Sequence, residues 1–428
     1  MTPRSARRRY MLVSFLTWLP PGLMMPAMVL LMLERGLGIA EAGLVVAAYS
    51  LVIIVLELPT GGLADVLGRK VVLSCSAAFS VLGLGLAAFA DSLWLFLVCS
   101  VFKGVARALS SGPAEAWYVD TVHALEGPGS DLRPGLSRGY TMESVALLGG
   151  TLVGGFVPLV VPERIIMPLA VPTLMGSAAA AVLLVVVLFA MPEPPHPKAR
   201  LGEVLRAVPA TIGSGLALAA RDGVLRRLML AGVAFGAALV AVELLTPGRL
   251  AELTGAAESG ATVYAVVAAV GFAGSALGSA IAPWVARVAR TSPGGAAAGT
   301  VLSALSLAAL AATTGLDGVV GVVAAGGAYA VMFTGLSVNG LLRAEMAHHR
   351  VTSAQRATTS SMASLSLHVG GGLANLGLAT LAAQAGTATA WGLTALLVLA
   401  SALLYVRMPG RPLEPAVLAR EEEGVRPA

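Results

Sequence analysis

Charge is scarce in this 428-residue chain: 12% of its residues are Asp, Glu, Lys or Arg, against 57% hydrophobic, whereas soluble domains carry roughly a quarter charged residues. Water is therefore excluded as the main solvent. Cysteine is scarcer still. Cys75 and Cys99 both lie in apolar runs without metal-ligand spacing around them, so neither a disulfide framework nor a zinc site is supported. A nucleotide-binding Gly-x-x-x-x-Gly-Lys loop is missing, and His348-His349 with Glu345 lacks the His-Glu-x-x-His spacing. A membrane enzyme is thus left without a nucleotide or metal centre. The sequence implies no cofactor and no nucleic-acid partner.

What is present is apolar length. Stretches of twenty or more apolar residues recur from Tyr10 almost to Val406, and each such stretch is long enough to cross a bilayer as a helix. In lipid the backbone must satisfy its own hydrogen bonds, so only helices or a closed barrel qualify, and continuous runs exclude the ten-residue alternation of a barrel. The 50 glycines suit close helix packing. Pro20, Pro21, Pro158, Pro168 and Pro172 sit at membrane depth, where they can kink helices. The first run follows a basic start but is too long for a signal peptide and lacks a small-residue cleavage site.

Hydropathy and charged breaks predict twelve spans, near 10–33, 40–63, 70–90, 93–119, 140–161, 165–190, 225–246, 259–283, 295–314, 319–342, 358–382 and 388–407. With the N-terminus inside, only Arg35, Arg164 and Arg249 fall in outside loops and Lys103 and Arg107 within span 4, leaving 23 of 28 basic residues cytoplasmic. That asymmetry predicts cytoplasmic N- and C-termini. Residues 1–190 form the expected N-terminal six-helix bundle and 225–407 the C-terminal one. Between them, 191–224 opens with four prolines and reads as a cytoplasmic linker with a short amphipathic helix, and 408–428 as a cytoplasmic tail. The halves repeat: Glu41-Ala-Gly near the start of span 2 matches Glu258-Ser-Gly near the start of span 8 at an offset of 217, and Arg138 before span 5 matches Arg356 before span 11 at 218. Two matches at nearly one offset predict a duplicated six-helix unit.

The segment joining spans 2 and 3 reads Glu57-Leu-Pro-Thr-Gly-Gly-Leu-Ala-Asp65-Val-Leu-Gly68-Arg69-Lys70. Its glycines permit a tight turn and its acid and basic pair can form a charge latch. It resembles the loop 2–3 motif of the major facilitator superfamily, Gly-x-x-x-Asp-(Arg/Lys)-x-Gly-Arg-(Arg/Lys). Gly61, Asp65, Gly68, Arg69 and Lys70 match, while Val66 replaces a basic residue. In the second half Ala282 stands where the acid would be. The resemblance implies an all-α integral membrane fold of two bundles and a conformational latch in which Asp120, at the end of span 4, joins Asp65 and Arg69.

Lys103 and Arg107 lie one turn apart within span 4. A charge at that depth costs about 3 kcal/mol or more, so it faces a cavity or a partner. The family's drug/proton antiporters carry an arginine in this helix before a Gly-x-Gly. Here Ser100 occupies that position beside Lys103, and Gly104-Val-Ala106 follows. Glu57, Glu115, Glu143 and Glu243 are the acidic candidates for proton coupling, together with Lys103 and Arg107. A structural ion network of the first three acids with Arg69, Arg107 and Arg138 is the competing reading. Glu243 is expected nearer the outer surface, where solvation accounts for it. Gly149-Gly150-Thr-Leu-Val-Gly154-Gly155-Phe-Val-Pro158 resembles the antiporters' glycine-rich helix 5 without its Gly-Pro pair, and equally suits plain helix packing.

By the same resemblance, spans 1, 4, 7 and 10 enclose a substrate cavity. Trp18, Met24, Met25, Phe235, Met332, Phe333 and Asn339 are its candidate lining. So few polar residues favour an amphiphilic or hydrophobic small molecule over a sugar. The expectation is a monomeric proton-coupled exporter of small organic compounds in the lipid bilayer, with uptake of a metabolite as the alternative and a non-transporting receptor as a further one. Arginine outnumbers lysine 25 to 3, which points to a GC-rich bacterial genome and hence the cell membrane.

Overall fold

The computed structural model describes residues 1–127, 130–192, 221–351 and 356–409, with Gly202 and Gly213 between them. The amphipathic helix expected in the linker and most of the tail lie outside the described residues.

Among the described residues, twelve helices are long and apolar enough to cross a membrane. In chain order they are α1 (Pro3–Met24, resuming as Met28–Glu34), α2 (Ile39–Leu67), α3 (Arg69–Phe89), α4 (Leu93–Ser110, resuming as Pro113–Glu126), α5 (Arg133–Phe156) and α6 (Val171–Ala190). The second half comprises α7 (Gly223–Thr254), α8 (Ala257–Val288), α9 (Ser292–Ala312), α10 (Gly318–His348), α11 (Arg356–Ala385) and α12 (Thr387–Ser401). All twelve coincide with predicted spans.

Two helices are interrupted where hydropathy shows continuity. α1 breaks over Met25–Ala27 because Pro26 has no N–H to give and its ring blocks the preceding turn. α4 breaks at Ser111–Gly112, with Gly112 at φ +93° and Pro113 at the first position of the continuing helix. Hydropathy cannot register either event. α1 also begins at Pro3, so Arg9 lies on the helix and its Nη1 donates to the Ala190 carbonyl at the end of α6 (2.7 Å).

Within each half the helices meet through missing side chains. A Cβ at Gly22 of α1 would stand 2.8 Å from the Leu147 carbonyl oxygen of α5, and one at Gly154 of α5 would strike the Leu23 carbonyl. Gly150 and Gly154 of the helix 5 sequence therefore seat α1, and Gly155 seats α8 in the other half. The large residues turned outward, such as Phe89, Trp94, Phe189 and Leu403, suit contact with lipid tails.

The halves touch along two seams, α2 against α11 and α5 against α8. The α5–α8 contact lies at the end remote from the N-terminus, where the Thr262 hydroxyl donates to the Gly155 carbonyl (2.7 Å). On that side the last turns of α1 also pack on α7 and α8. The two halves are thus closed against each other at the remote face.

Asn339 shows how the second half is held. Its amide Nδ2, with two N–H groups to give, lies within hydrogen-bond reach of the Tyr405 hydroxyl (2.7 Å), the Thr300 hydroxyl (2.8 Å) and the Ala296 carbonyl (3.2 Å), and the residue is 4% exposed. Asn339→Ala deprives the Tyr405 hydroxyl of its partner in a place water does not reach, while the Thr300 hydroxyl and Ala296 carbonyl keep their bond to each other, at a cost of about 1–3 kcal/mol. Its thermal transition in detergent should fall by several degrees. An unchanged midpoint would remove this structural role.

Candidate functional site

A cavity of about 280 Å³ lies between the halves. α1 supplies Met24 before its break and Met28 and Met32, one turn apart, after it, with Met25 at the break itself. α2 adds Val45, Val46 and Tyr49, α4 adds Ser100 and Lys103, and α5 adds Leu147. From the second half come Val240, Glu243 and Leu244 of α7, Tyr264 of α8 and Asn375 of α11. Thioethers provide a polarizable, adaptable apolar wall, and the polar groups stand at a few defined points.

Those polar groups share one property. Lys103 and Glu243 make no hydrogen bond or ion pair among the described residues, the Ser100 hydroxyl and both polar atoms of the Asn375 amide are buried without a partner, and all four line the cavity. Glu243 is exposed although Ala241, Val242, Leu244 and Leu245 around it are buried, so its carboxyl group opens into the cavity. The sequence placed it near the outer surface; its depth within the bundle follows from α7 extending to Thr254, well beyond the predicted end. Lys103 also borders a smaller recess of about 70 Å³ inside the first half, shared with Thr17, Ser76 and Arg107. Gly83 of α3 makes room for its stem, since a Cβ there would stand 3.0 Å from Lys103 Cγ. Gly104 packs on α2 at Val52 and the Tyr49 carbonyl, a contact that accounts for the glycine on packing grounds.

One turn further, the Arg107 guanidinium lies over the Trp18 ring at 4.7 Å and reaches Ser110 at 3.4 Å. Glu143 stands within interaction range of both Arg107 and Trp18. Glu115 accepts from the Tyr140 hydroxyl at 2.8 Å. Glu57 of α2 accepts from the Ser364 hydroxyl of α11 at 2.7 Å, with His368 Nδ1 4.0 Å from its other oxygen. That contact joins the two halves by a pair of titratable groups. His368 went unnoticed in the sequence because a lone histidine in an apolar helix has no local signature.

The segment joining α2 and α3, where the latch is expected, is described in part. Gly68 adopts φ +95°, a left-handed conformation open to glycine, and makes the sharp junction between α2 and α3. Arg69 pairs with Asp120 at 3.2 Å, joining the start of α3 to the end of α4. Lys70 follows, half-buried. The side chains of Gly61 and Asp65 lie outside the described ones. Asp120→Asn removes one charge of a partly exposed pair, so stability should change by at most about 1 kcal/mol. If the pair belongs to a latch, turnover should fall several-fold with the thermal midpoint preserved; wild-type turnover would remove the role.

Of the remaining cavity candidates, only Met24 and Met25 line the large cavity. Phe235 lies beneath the Arg343 guanidinium at 5.5 Å, Phe333 stacks on Tyr329 at 4.8 Å, Met332 is 1% exposed in the core, and Asn339 is tied up as described. Tyr49, Glu243, Tyr264 and Asn375 stand at the cavity wall instead.

Two bundles of six helices, joined along two seams and enclosing a polar-studded cavity, define a secondary-transporter architecture. The chain belongs to the Major Facilitator Superfamily, whose family model matches residues 10–349. No curated protein matches the sequence. Among solved structures, the nucleoside transporter NupG superposes with a TM-score of 0.77 at 14% identity, over 94% of this chain and 98% of that one. A D-xylose-proton symporter gives 0.72 at 12% identity over 96% and 100%. A POT family transporter in complex with 5-aminolevulinic acid gives 0.69 at 14% identity over the full length of both chains. At such identities the likeness establishes the fold.

Proposed function

We propose that this protein is a proton-coupled secondary transporter that exports small amphiphilic organic molecules across a bacterial cell membrane, as a monomer, by rocking its halves around the central cavity. The observation that carries the reading is the cavity itself: polar groups from both halves converge on it without partners. A site that leaves charges unpaired at membrane depth is costly unless a ligand or water meets them. The excess of basic residues supports a cytoplasmic position for both termini, which would make the closed remote face the extracellular one. Glu57 with His368 is the proposed proton-coupling pair, because it bridges helices of the two halves, with Arg69 and Asp120 as the latch.

Uptake is the second reading, favoured by the packing role of Gly150, Gly154 and Gly155, which explains the helix 5 glycines without an antiporter motif. The similar fold of a D-xylose-proton symporter is compatible with it. Energised inverted vesicles from expressing cells should accumulate compounds from an amphiphile panel, and a protonophore should release them. Accumulation only in right-side-out vesicles would assign uptake. Accumulation in neither, with cysteines at Val46 and Val240 labelled from one face under all conditions, would refute transport.

A further inference from the structure

Among the described residues, the cavity is lined by one cationic and one acidic side chain, and they come from different halves: Lys103 from α4 and Glu243 from α7. Neither is neutralised by a neighbour among the described residues. Arg107, the other cation at this depth, is already engaged by Trp18 and Ser110 and borders the side recess rather than the large cavity. The free charges of the cavity therefore balance at one of each sign. A neutral ligand would leave both unanswered, a simple cation would leave Lys103 unanswered, and a simple anion would leave Glu243 unanswered. Each omission strands a charge in a low-dielectric place.

We propose that the cavity binds a compact zwitterion, its anionic group on Lys103 and its cationic group on Glu243, with the α1 methionines around its apolar body. The proposal rests on the transport reading and narrows its substrate class. Asn375 adds a buried amide with both donor and acceptor free, and Ser100 a free hydroxyl, so the polar ends of such a molecule also find hydrogen bonds. A volume of about 280 Å³ lies near the lower end of ligand sites, roughly 300–1,000 Å³, which suits a molecule of amino-acid to dipeptide size. Because the two charges sit on opposite halves, such a ligand ties the halves together and has a differential affinity for the state that brings them near.

The test uses the purified full-length protein in detergent and the series from 4-aminobutyrate to 8-aminooctanoate with L-phenylalanine, against hexanoate and hexylamine as singly charged controls. At least one zwitterion should bind about tenfold or more tighter than either control, the effect of one added charge-assisted contact. Glu243→Gln should abolish that advantage without weakening hexanoate binding, which no longer strands an acid beside it. Lys103→Met should abolish it without weakening hexylamine binding, and Lys103→Arg should retain most of it. Size-exclusion profiles check that each variant is folded, and Glu243→Asp provides a second variant at that position. Equal binding of a zwitterion and a singly charged control, indifference to Lys103→Met, or no binding across the series would overturn the zwitterion class. Since alternating labelling of Val46 and Val240 cysteines is read without any ligand, the transport reading stands or falls separately.

Discussion

Gly155→Val should abolish transport while leaving the protein folded and inserted. Gly155 is the point at which α5 of the first half meets α8 of the second. A Cβ there would collide with the Ala265 methyl and stand 2.9 Å from the Ala261 carbonyl oxygen, and the obstructing oxygen belongs to helix backbone that cannot rotate away. The adjacent Thr262 hydroxyl bond to the Gly155 carbonyl would be lost as the helices part. Overpacking of this kind costs about 1–3 kcal/mol. Because the contact lies between halves, the strain falls on the closed remote face and not on either bundle. A shift of that size moves the conformational equilibrium by about tenfold to a hundredfold. A cysteine at Val46 should then become reactive from the remote face, with turnover reduced accordingly. Wild-type turnover with unchanged labelling would show that the α5–α8 seam is not a gate. Gly149 supplies the control, since nothing lies within 4 Å of a Cβ there, and Gly149→Ala should be silent.

The second large effect is expected at Glu57. Its two oxygens face Ser364 and His368 of the opposite half, with the carboxylate 18% and the imidazole 24% exposed. A carboxyl group in that position can exchange a proton with one aqueous side and reach its α11 partners only while the halves are together. Glu57→Gln preserves the shape and an oxygen for the Ser364 hydroxyl but cannot release a proton. Proton-driven accumulation in proteoliposomes should collapse to the equilibrium level, while exchange of labelled for unlabelled substrate continues. A variant that still accumulates substrate uphill would free Glu57 from coupling and turn attention to Glu115 or Glu143. His368→Gln should weaken the seam and give a milder loss.

Much of the site was legible only in part. Met24 and Met25 were found because the family resemblance named α1 as a cavity helix, and Lys103 because a cation in an apolar helix is conspicuous. Phe235, Met332, Phe333 and Asn339 had the same formal standing, yet they face their own bundle. The difference is one of helix rotation. Along an all-apolar helix the sequence contains no polar face to indicate which side turns inward, and the resemblance supplies helix identity without azimuth. Glu243 was misplaced for a related reason: its depth depends on where α7 ends, and hydrophobic length gives that only to within a turn or two.

The sequence by itself determined the twelve spans, the division into two halves and the Gly68–Arg69 turn that marks the family, because hydrophobic length, internal repetition and a short motif are all local properties of the chain. The tertiary structure alone decided that α1 and α4 are broken, that Glu243 shares a cavity with Lys103 and that Glu57 meets Ser364, 307 positions away. Those facts depend on how each helix is rotated and how one bundle leans on the other, and these are set by packing of small residues across helices distant in sequence.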